Sequence, residues 1–311
     1  MSSEAALMSL LGSLAARHYR WVAPTPETQR RVLARANRRV ATSLPGIFGW
    51  SLPFAPEIVD VELLGLMRTA DIVERRGDLL ASTVRVSSLD NDLFLHSAYP
   101  TTGSDAVFFG PDSYRFARFI RDGLSRMPTE IRRLVDIGCG SGVGAVIAAR
   151  ATGAPHVVMT DINPAALRLA RINAAAADVA ASADISDVLN DIDGTFDLVV
   201  SNPPYLIDDE RRTYRHGGDA LGADLSLRIA NDAVARLNPG GRLLLYTASA
   251  IVDGVDGFRS AVMSSLEDKD CEVGYAEIDP DVFGEELDRS VYRDVDRIAV
   301  VGVTATRRQR P

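Results

Sequence analysis

The sequence predicts an α/β protein: a mostly parallel sheet covered by helices on both faces, preceded by a smaller N-terminal domain. Three observations predict it. From about residue 106, apolar runs of strand length alternate with runs of helix length. A glycine-rich loop follows the first of those strands directly. Residues 1–105 lack that alternation, and their first 50 residues carry seven arginines against Glu4 and Glu27, a local +5 in a chain of net charge −8.

The N-terminal elements are read in order. Thr25 can cap a helix that begins at Pro26 and runs to about Val40. Val32, Leu33, Ala36 and Val40 fall on one arc of it, with Arg30, Arg31, Arg35, Arg38 and Arg39 on the opposite half. That outer face is either a solvated surface or a contact for RNA, DNA or an acidic protein. Pro45, Gly46, Pro53 and Pro56 punctuate the next, turn-rich stretch. A short helix over 59–69, a second segment over 71–76, a turn at Gly77-Asp78 and alternating runs at 83–86 and 93–96 read as helix, helix and β-ribbon. This order suits a winged-helix-like module, so 1–105 is expected to be a substrate-recognition domain and 106–311 the catalytic one.

In the second part, strands are expected at 133–137, 157–160, 196–200 and 242–246, and helices at 143–151, 164–176 and 225–237. Segments 272–278 and 291–303 can pair as antiparallel strands. Ligands of such sheets sit at the carboxyl ends of the strands.

Composition narrows the class. With 311 residues, 46% apolar and 24% charged, the chain is neither disordered nor fibrous. A net −8 opposes a wholly basic, nucleic-acid-coating protein but not a local basic patch. No run approaches the roughly 20 apolar residues of a membrane span, and the start lacks a secretory layout, so the cytoplasm is expected. Cys139, Cys271 and four scattered histidines form no disulfide framework or zinc cluster, so reduced thiols and no metal are expected.

Two motifs carry the chemistry. The strand ending in Asp136-Ile137 runs into Gly138-Cys139-Gly140-Ser141-Gly142, whose glycines let a ligand approach main-chain N–H groups at a helix N-terminus. This pattern also fits a dinucleotide fold and hence a nicotinamide-dependent oxidoreductase. Asp136, however, would repel a pyrophosphate and could hold an ammonium, and Asp161, closing the next strand, can accept from both hydroxyls of a ribose. The second motif is Asn202-Pro203-Pro204-Tyr205 after an apolar strand. Consecutive prolines stiffen the loop and remove donors, leaving carbonyls outward, and Asn202 adds a side-chain acceptor. Two acceptors beside an aromatic ring are what a planar, conjugated NH2 requires. Asn202 Oδ1 and the Pro203 carbonyl would draw both N–H groups out of conjugation while Tyr205 stacks on the π-plane.

On these residues, 106–311 resembles the class I S-adenosylmethionine-dependent methyltransferases, and the second motif is similar to that of their amino-methyltransferase group, which includes release-factor glutamine methyltransferases and nucleic-acid base N-methyltransferases. The resemblance implies a Rossmann-like, seven-stranded sheet, completed by the two C-terminal strands, and S-adenosyl-L-methionine as cofactor. By position, Asp136, Gly138, Cys139 and Gly140 would cradle its methionine part, and Asp161 with Ile162 its nucleoside. Asp187, or else Asp184, would approach the adenine amine, and Asn202 would touch the cofactor as well as the acceptor. Pro111-Asp112-Ser113 resembles the segment that closes over the cofactor in the glutamine enzymes, with Gly110 in place of the usual Arg and Tyr114 in place of a Glu. His216-Gly217-Gly218-Asp219 resembles a further segment of that group. Between them, Arg211, Arg212, Arg215 and His216 form either a phosphate-binding group or a charged lid. Cys139 lacks a base partner and reads as packing.

The expected reaction is methyl transfer to a planar NH2, catalysed by Asn202, Pro203, Pro204 and Tyr205. A nucleic-acid base is first among substrates and a protein glutamine amide second. A non-catalytic nucleic-acid-binding module is the remaining alternative.

Overall fold

The computed structural model describes residues 1–125, 130–208, 212 and 214–309. Helix α1 (Ser3–Ala16), capped by Ser2, buries Leu7, Leu10, Leu11 and Leu14. Helix α2 (Pro26–Leu33) starts as expected, with Thr25 Oγ1 accepting the Thr28 N–H at 3.1 Å, but it stops seven residues short of Val40. The apolar arc finds little to cover: Val32 and Leu33 are half-buried, whereas Ala36 and Val40 are exposed. Arginines three and four positions apart at 31, 35, 38 and 39 also repel along a continued helix. Helix α3 (Val61–Thr69), capped by Asp60, is followed by strands β1 (Val73–Arg76) and β2 (Leu79–Ser82). The 71–76 segment is therefore a strand and not a second helix, because Gly77 at φ +65° folds it back as a hairpin that pairs Val73 with Ser82. Strands β3 (Val84–Leu89) and β4 (Asp92–Ser97) form a second hairpin.

Helix α4 (Pro111–Leu124) leads into the large sheet. There β5 (Arg133–Ile137), α5 (Val143–Thr152), β6 (His156–Asp161), α6 (Pro164–Ala176), β7 (Ala181–Ile185) and β8 (Phe196–Ser201) alternate, followed by α7 (Asp219–Gly222), α8 (Asp224–Ala235) and the long β9 (Leu237–Val252). After β10 (Val255–Asp256) and α9 (Gly257–Leu266), β11 (Cys271–Asp279) and β12 (Arg297–Arg307) return antiparallel. The order is β11-β12-β9-β8-β5-β6-β7, with β10 added beside β9, and β5 to β9 run parallel. Seven strands make the main path, as expected. β12 begins later than expected because Ser290–Tyr292 is a 3₁₀ turn. Neither β7 nor α9 was expected: β7 is mostly exposed and carries weak alternation.

One apolar cluster joins α4, α5 and the sheet to Leu89 and Phe94 of the β3–β4 hairpin, and another joins α1 and α3 to Ala166, Leu169 and Ile172 of α6. At the centre, the fully buried Asn173 accepts the Leu95 N–H at 2.8 Å and donates to the carbonyls of Leu95 and Ser141 at 3.0 and 2.9 Å. A single amide thus fastens the N-terminal hairpin to the glycine loop. The strand order reverses between β5 and β8, so their carboxyl ends open a crevice where a ligand can enter.

Among the described residues, no helix is long and apolar enough to cross a membrane, and no group of three or more His, Cys, Asp or Glu could hold a metal.

Candidate active site

The ends of four parallel strands converge on one cavity of about 340 Å³. The end of β5 supplies the glycine loop, held down on both sides. The Cys139 N–H donates to the Thr160 carbonyl at 2.9 Å, and the Gly140 N–H to Asp161 Oδ2 at 3.0 Å. Asp161 Oδ1 meanwhile accepts the Asn163 N–H at 2.9 Å. Asp136 is 1% exposed, and its Oδ2 accepts the Ala145 N–H of α5 at 2.8 Å. Burial pushes its carboxyl up to about 7, opposed by that hydrogen bond, and burial also raises the Asp161 carboxyl. A dry wall of two carboxylates favours a cation. The Cys139 thiol is pushed well up by burial, as suits a packing residue.

At the end of β7, Ser186, Asp187 and Val188 reach the cavity and Asp184 does not. Asp187 forms a two-pronged ion pair with Arg228, one arm at 2.9 Å. Val188 has φ +57°, a strained conformation for a β-branched residue, and Ile162, which also lines the cavity, is 53% exposed.

At the end of β8, Ser201 Oγ donates to the Ile137 carbonyl at 2.8 Å, locking the loop to β5. Asn202 Oδ1 is buried and has no hydrogen-bond partner, and such an acceptor is costly to leave unpaired. Tyr205 Oη donates to Asp112 Oδ2 at 2.8 Å, and Tyr246 Oη to Asp112 Oδ1 at 3.0 Å. Arg115 adds a 3.2 Å ion pair to the same carboxylate. Burial and the neighbouring Asp112 raise the Tyr205 hydroxyl far above its ordinary value, so it remains a donor.

Gly217 and Gly222 back this loop. A Cβ on Gly222, at φ +90°, would stand 2.4 Å from the Tyr205 carbonyl oxygen, and one on Gly217 would stand 2.8 Å from that of Pro204. The two departures at 110 and 114 also have physical reasons. A Cβ at Gly110 would strike the Phe108 ring, and Tyr114 Oη accepts the Ala23 N–H at 3.0 Å, tying the N-terminal chain to α4.

The described residues of the 208–216 stretch are held by ion pairs. Asp208 accepts Arg212 Nε at 2.9 Å, and Arg212 is the main reason its carboxyl lies at about 2. Arg215 pairs with Glu286, which also accepts Arg289 at 2.9 Å. Arg212 and Arg215 are thus neutralised within the chain. Arg211 lies outside the described residues. His216 Nδ1 accepts the Asp208 N–H at 3.2 Å.

Of the residues singled out from the sequence, Asp112, Ser113, Asp136, Gly138, Cys139, Gly140, Asp161, Ile162, Asp187, Asn202, Pro203, Pro204 and Tyr205 all line the cavity. Pro111 opens α4 and is not among the lining residues. Sequence reasoning missed Val188, Tyr214, Arg228 and Phe283. Phe283 comes from the β11–β12 connection, has φ +58°, and sets its ring 5.9 Å from that of Tyr205. Nothing local in the sequence marks it.

Residues 124–252 match the family described as methyltransferase small domain. A release factor glutamine methyltransferase of Deinococcus radiodurans is 31% identical over 253 residues, covering 77% of this chain and 84% of the relative. A ribosomal RNA small subunit methyltransferase C of Erwinia tasmaniensis is 31% identical over 134 residues, 40% of this chain and 36% of its own, so this chain spans only about a third of that relative. The solved structure of Trm5b from Pyrococcus abyssi is similar in fold, with a TM-score of 0.50 and 14% identity over 75% of this chain and 62% of that one.

Proposed function

The chain belongs to the class I S-adenosylmethionine-dependent methyltransferases of the Asn-Pro-Pro-Tyr group, and we propose that its methyl acceptor is an exocyclic amine of a nucleic-acid base. The reaction is an N-methyl transfer with S-adenosylmethionine as donor. The observation that carries the reading is the buried Asn202 Oδ1 without a partner, on a rigid loop beside Tyr205.

The residues present fit the cofactor. Gly138 and Gly140 have φ +65° and +51° with nothing within 4 Å of where a Cβ would stand, so they offer bare backbone to a ligand. The carboxylates of Asp136 and Asp161 suit a cationic, phosphate-free molecule. In this reading, Asp136, Gly138, Cys139 and Gly140 hold the methionine part and Asp161 the ribose. Ile162 would pack on the adenine, Asp187 would accept from its amine, and Asp112 and Ser113, next to Pro111, would close over the cofactor. The cofactor supplies an electrophilic methyl group on a sulfonium.

The chain's own groups do the rest. Asn202 Oδ1 and the Pro203 carbonyl accept the two N–H groups of the acceptor, localising the nitrogen lone pair toward the methyl, and Pro204 stiffens the loop. Tyr205 covers the π-plane, held by Asp112. The nitrogen acidifies as the new bond forms, so its proton leaves to water or to Asn202 without a strong base. Positioning and exclusion of water supply most of the rate.

The ribosomal RNA relatives and the arginine-rich first segment favour a base, with residues 1–105 as the recognition domain and the cytoplasm as the site of the reaction. The second reading, a protein glutamine amide, is favoured by the long match to a release factor glutamine methyltransferase. Incubation with methyl-labelled cofactor and either ribosomal RNA or a release factor separates them. Label in a nuclease-sensitive product is expected, and label confined to a protease-sensitive product overturns the base reading.

A further inference from the structure

We propose that the arginine segment running from α2 to Arg39 docks the phosphate backbone of a nucleic acid and delivers a base to the cavity; this rests on the base reading above. From residue 17 to residue 56, the only acidic residue is Glu27. Glu27 is already shared between Arg30 at 2.7 Å and Arg31 at 2.6 Å. Beyond them, residues 35–40 are all exposed. No ion pair of Arg35, Arg38 or Arg39 is found among the described residues, although Arg38 lies 5.9 Å over the Trp50 ring. Other exposed or half-buried arginines do find carboxylates: Arg17 has Asp60, Arg150 has Asp92 and Arg228 has Asp187.

The helix that begins the segment is tied to the cavity wall. Gln29 of α2, fully buried, donates to the Trp50 carbonyl at 3.3 Å and accepts Arg85 Nη1 at 2.8 Å. Arg85 reaches Thr101 Oγ1 at 3.4 Å, and the Thr101 carbonyl accepts the hydroxyl of Tyr214, which lines the cavity, at 2.7 Å. One connected set of hydrogen bonds thus links α2 to the cavity wall. A nucleic-acid strand sets a charge about every 3.4 Å and can meet several neighbouring guanidinium groups at once. Planar guanidinium groups bind phosphate bidentately. Residues 51–311 sum to −13 against +5 for residues 1–50, so the average field of the rest of the chain disfavours such a strand and the cationic strip favours it.

The test is binding of fluorescein-labelled single-stranded RNA, and of DNA of the same sequence, by the full chain across a salt series. Binding that weakens steeply with salt is expected. R35Q/R38Q/R39Q should reduce the steepness of the log–log slope by about 2 and raise Kd at least about tenfold, with unchanged S-adenosylmethionine affinity and melting. R35K/R38K/R39K should restore most of the slope. Equal binding of both strands supports recognition of the backbone alone, and a preference names the strand. Absent binding, an unchanged Gln variant, or equal competition by polyglutamate overturns the proposal. Transfer of label to a release factor alone would instead fail the base reading, while the isotherms still decide the surface.

Discussion

Tyr205 and Asp112, 93 residues apart, meet in a 2.8 Å hydrogen bond that fixes the Asn-Pro-Pro-Tyr loop to the first turn of α4. Because Asp112 also accepts Tyr246 and pairs with Arg115, its position is determined from three elements. Tyr205→Phe keeps the ring but leaves a buried carboxylate short of a donor. We expect a loss of about 1–3 kcal/mol in stability and a lower kcat at unchanged cofactor affinity, read by denaturation and steady-state kinetics. A wild-type melting curve would mean that the tether does not stabilise the fold.

Asn202→Ala deletes the unpartnered acceptor. Turnover should fall at least about 10²-fold, the scale for losing one preorganised polar contact to the reacting group, while calorimetric affinity for S-adenosylmethionine stays near wild type. Full activity would take Asn202 out of the mechanism.

Asp161→Ala removes the acceptor of the Gly140 N–H and, with it, the carboxylate proposed to hold the ribose. Cofactor binding should weaken by about 1–3 kcal/mol, with kcat at saturating cofactor much less affected.

Asp136 gives a pH dependence of definite sign. Its carboxyl in the ligand-free fold is raised from 3.8 to about 7, so between those values the folded chain binds a proton that the unfolded chain has released. Stability of the free protein should therefore fall as pH rises from about 4 to 7 and level off above. The cationic cofactor prefers the ionised carboxylate, so its affinity should rise over the same interval. Asp136→Asn should flatten both curves in pH-dependent melting and calorimetry.

Gly222→Ala places a methyl 2.4 Å from the Tyr205 carbonyl oxygen at φ +90°. The loop has to move, so kcat should drop and stability fall by at least about 1 kcal/mol, with cofactor affinity spared. A variant as active as wild type would mean that the loop does not need this backing.

The sequence by itself determined the parallel sheet, the glycine loop and the Asn-Pro-Pro-Tyr turn, because each is specified by residues adjacent in the chain: an apolar run, glycines free to take positive φ, and prolines whose rings lock φ at a negative value. It also located Asp161 and Asn202, which sit at the ends of strands whose positions the same local pattern defines. Only the tertiary structure decided which of Asp184 and Asp187 faces the cavity, since one residue of register separates the two sides of that segment. It also decided that Arg212 and Arg215 are spent on Asp208 and Glu286, and that α2 stops at Leu33 for want of a surface to cover. Phe283 and Tyr246 enter the site through contacts 78 and 134 residues long in sequence. No local pattern encodes such a contact, because what holds it is the closure of the whole sheet around the crevice between β5 and β8.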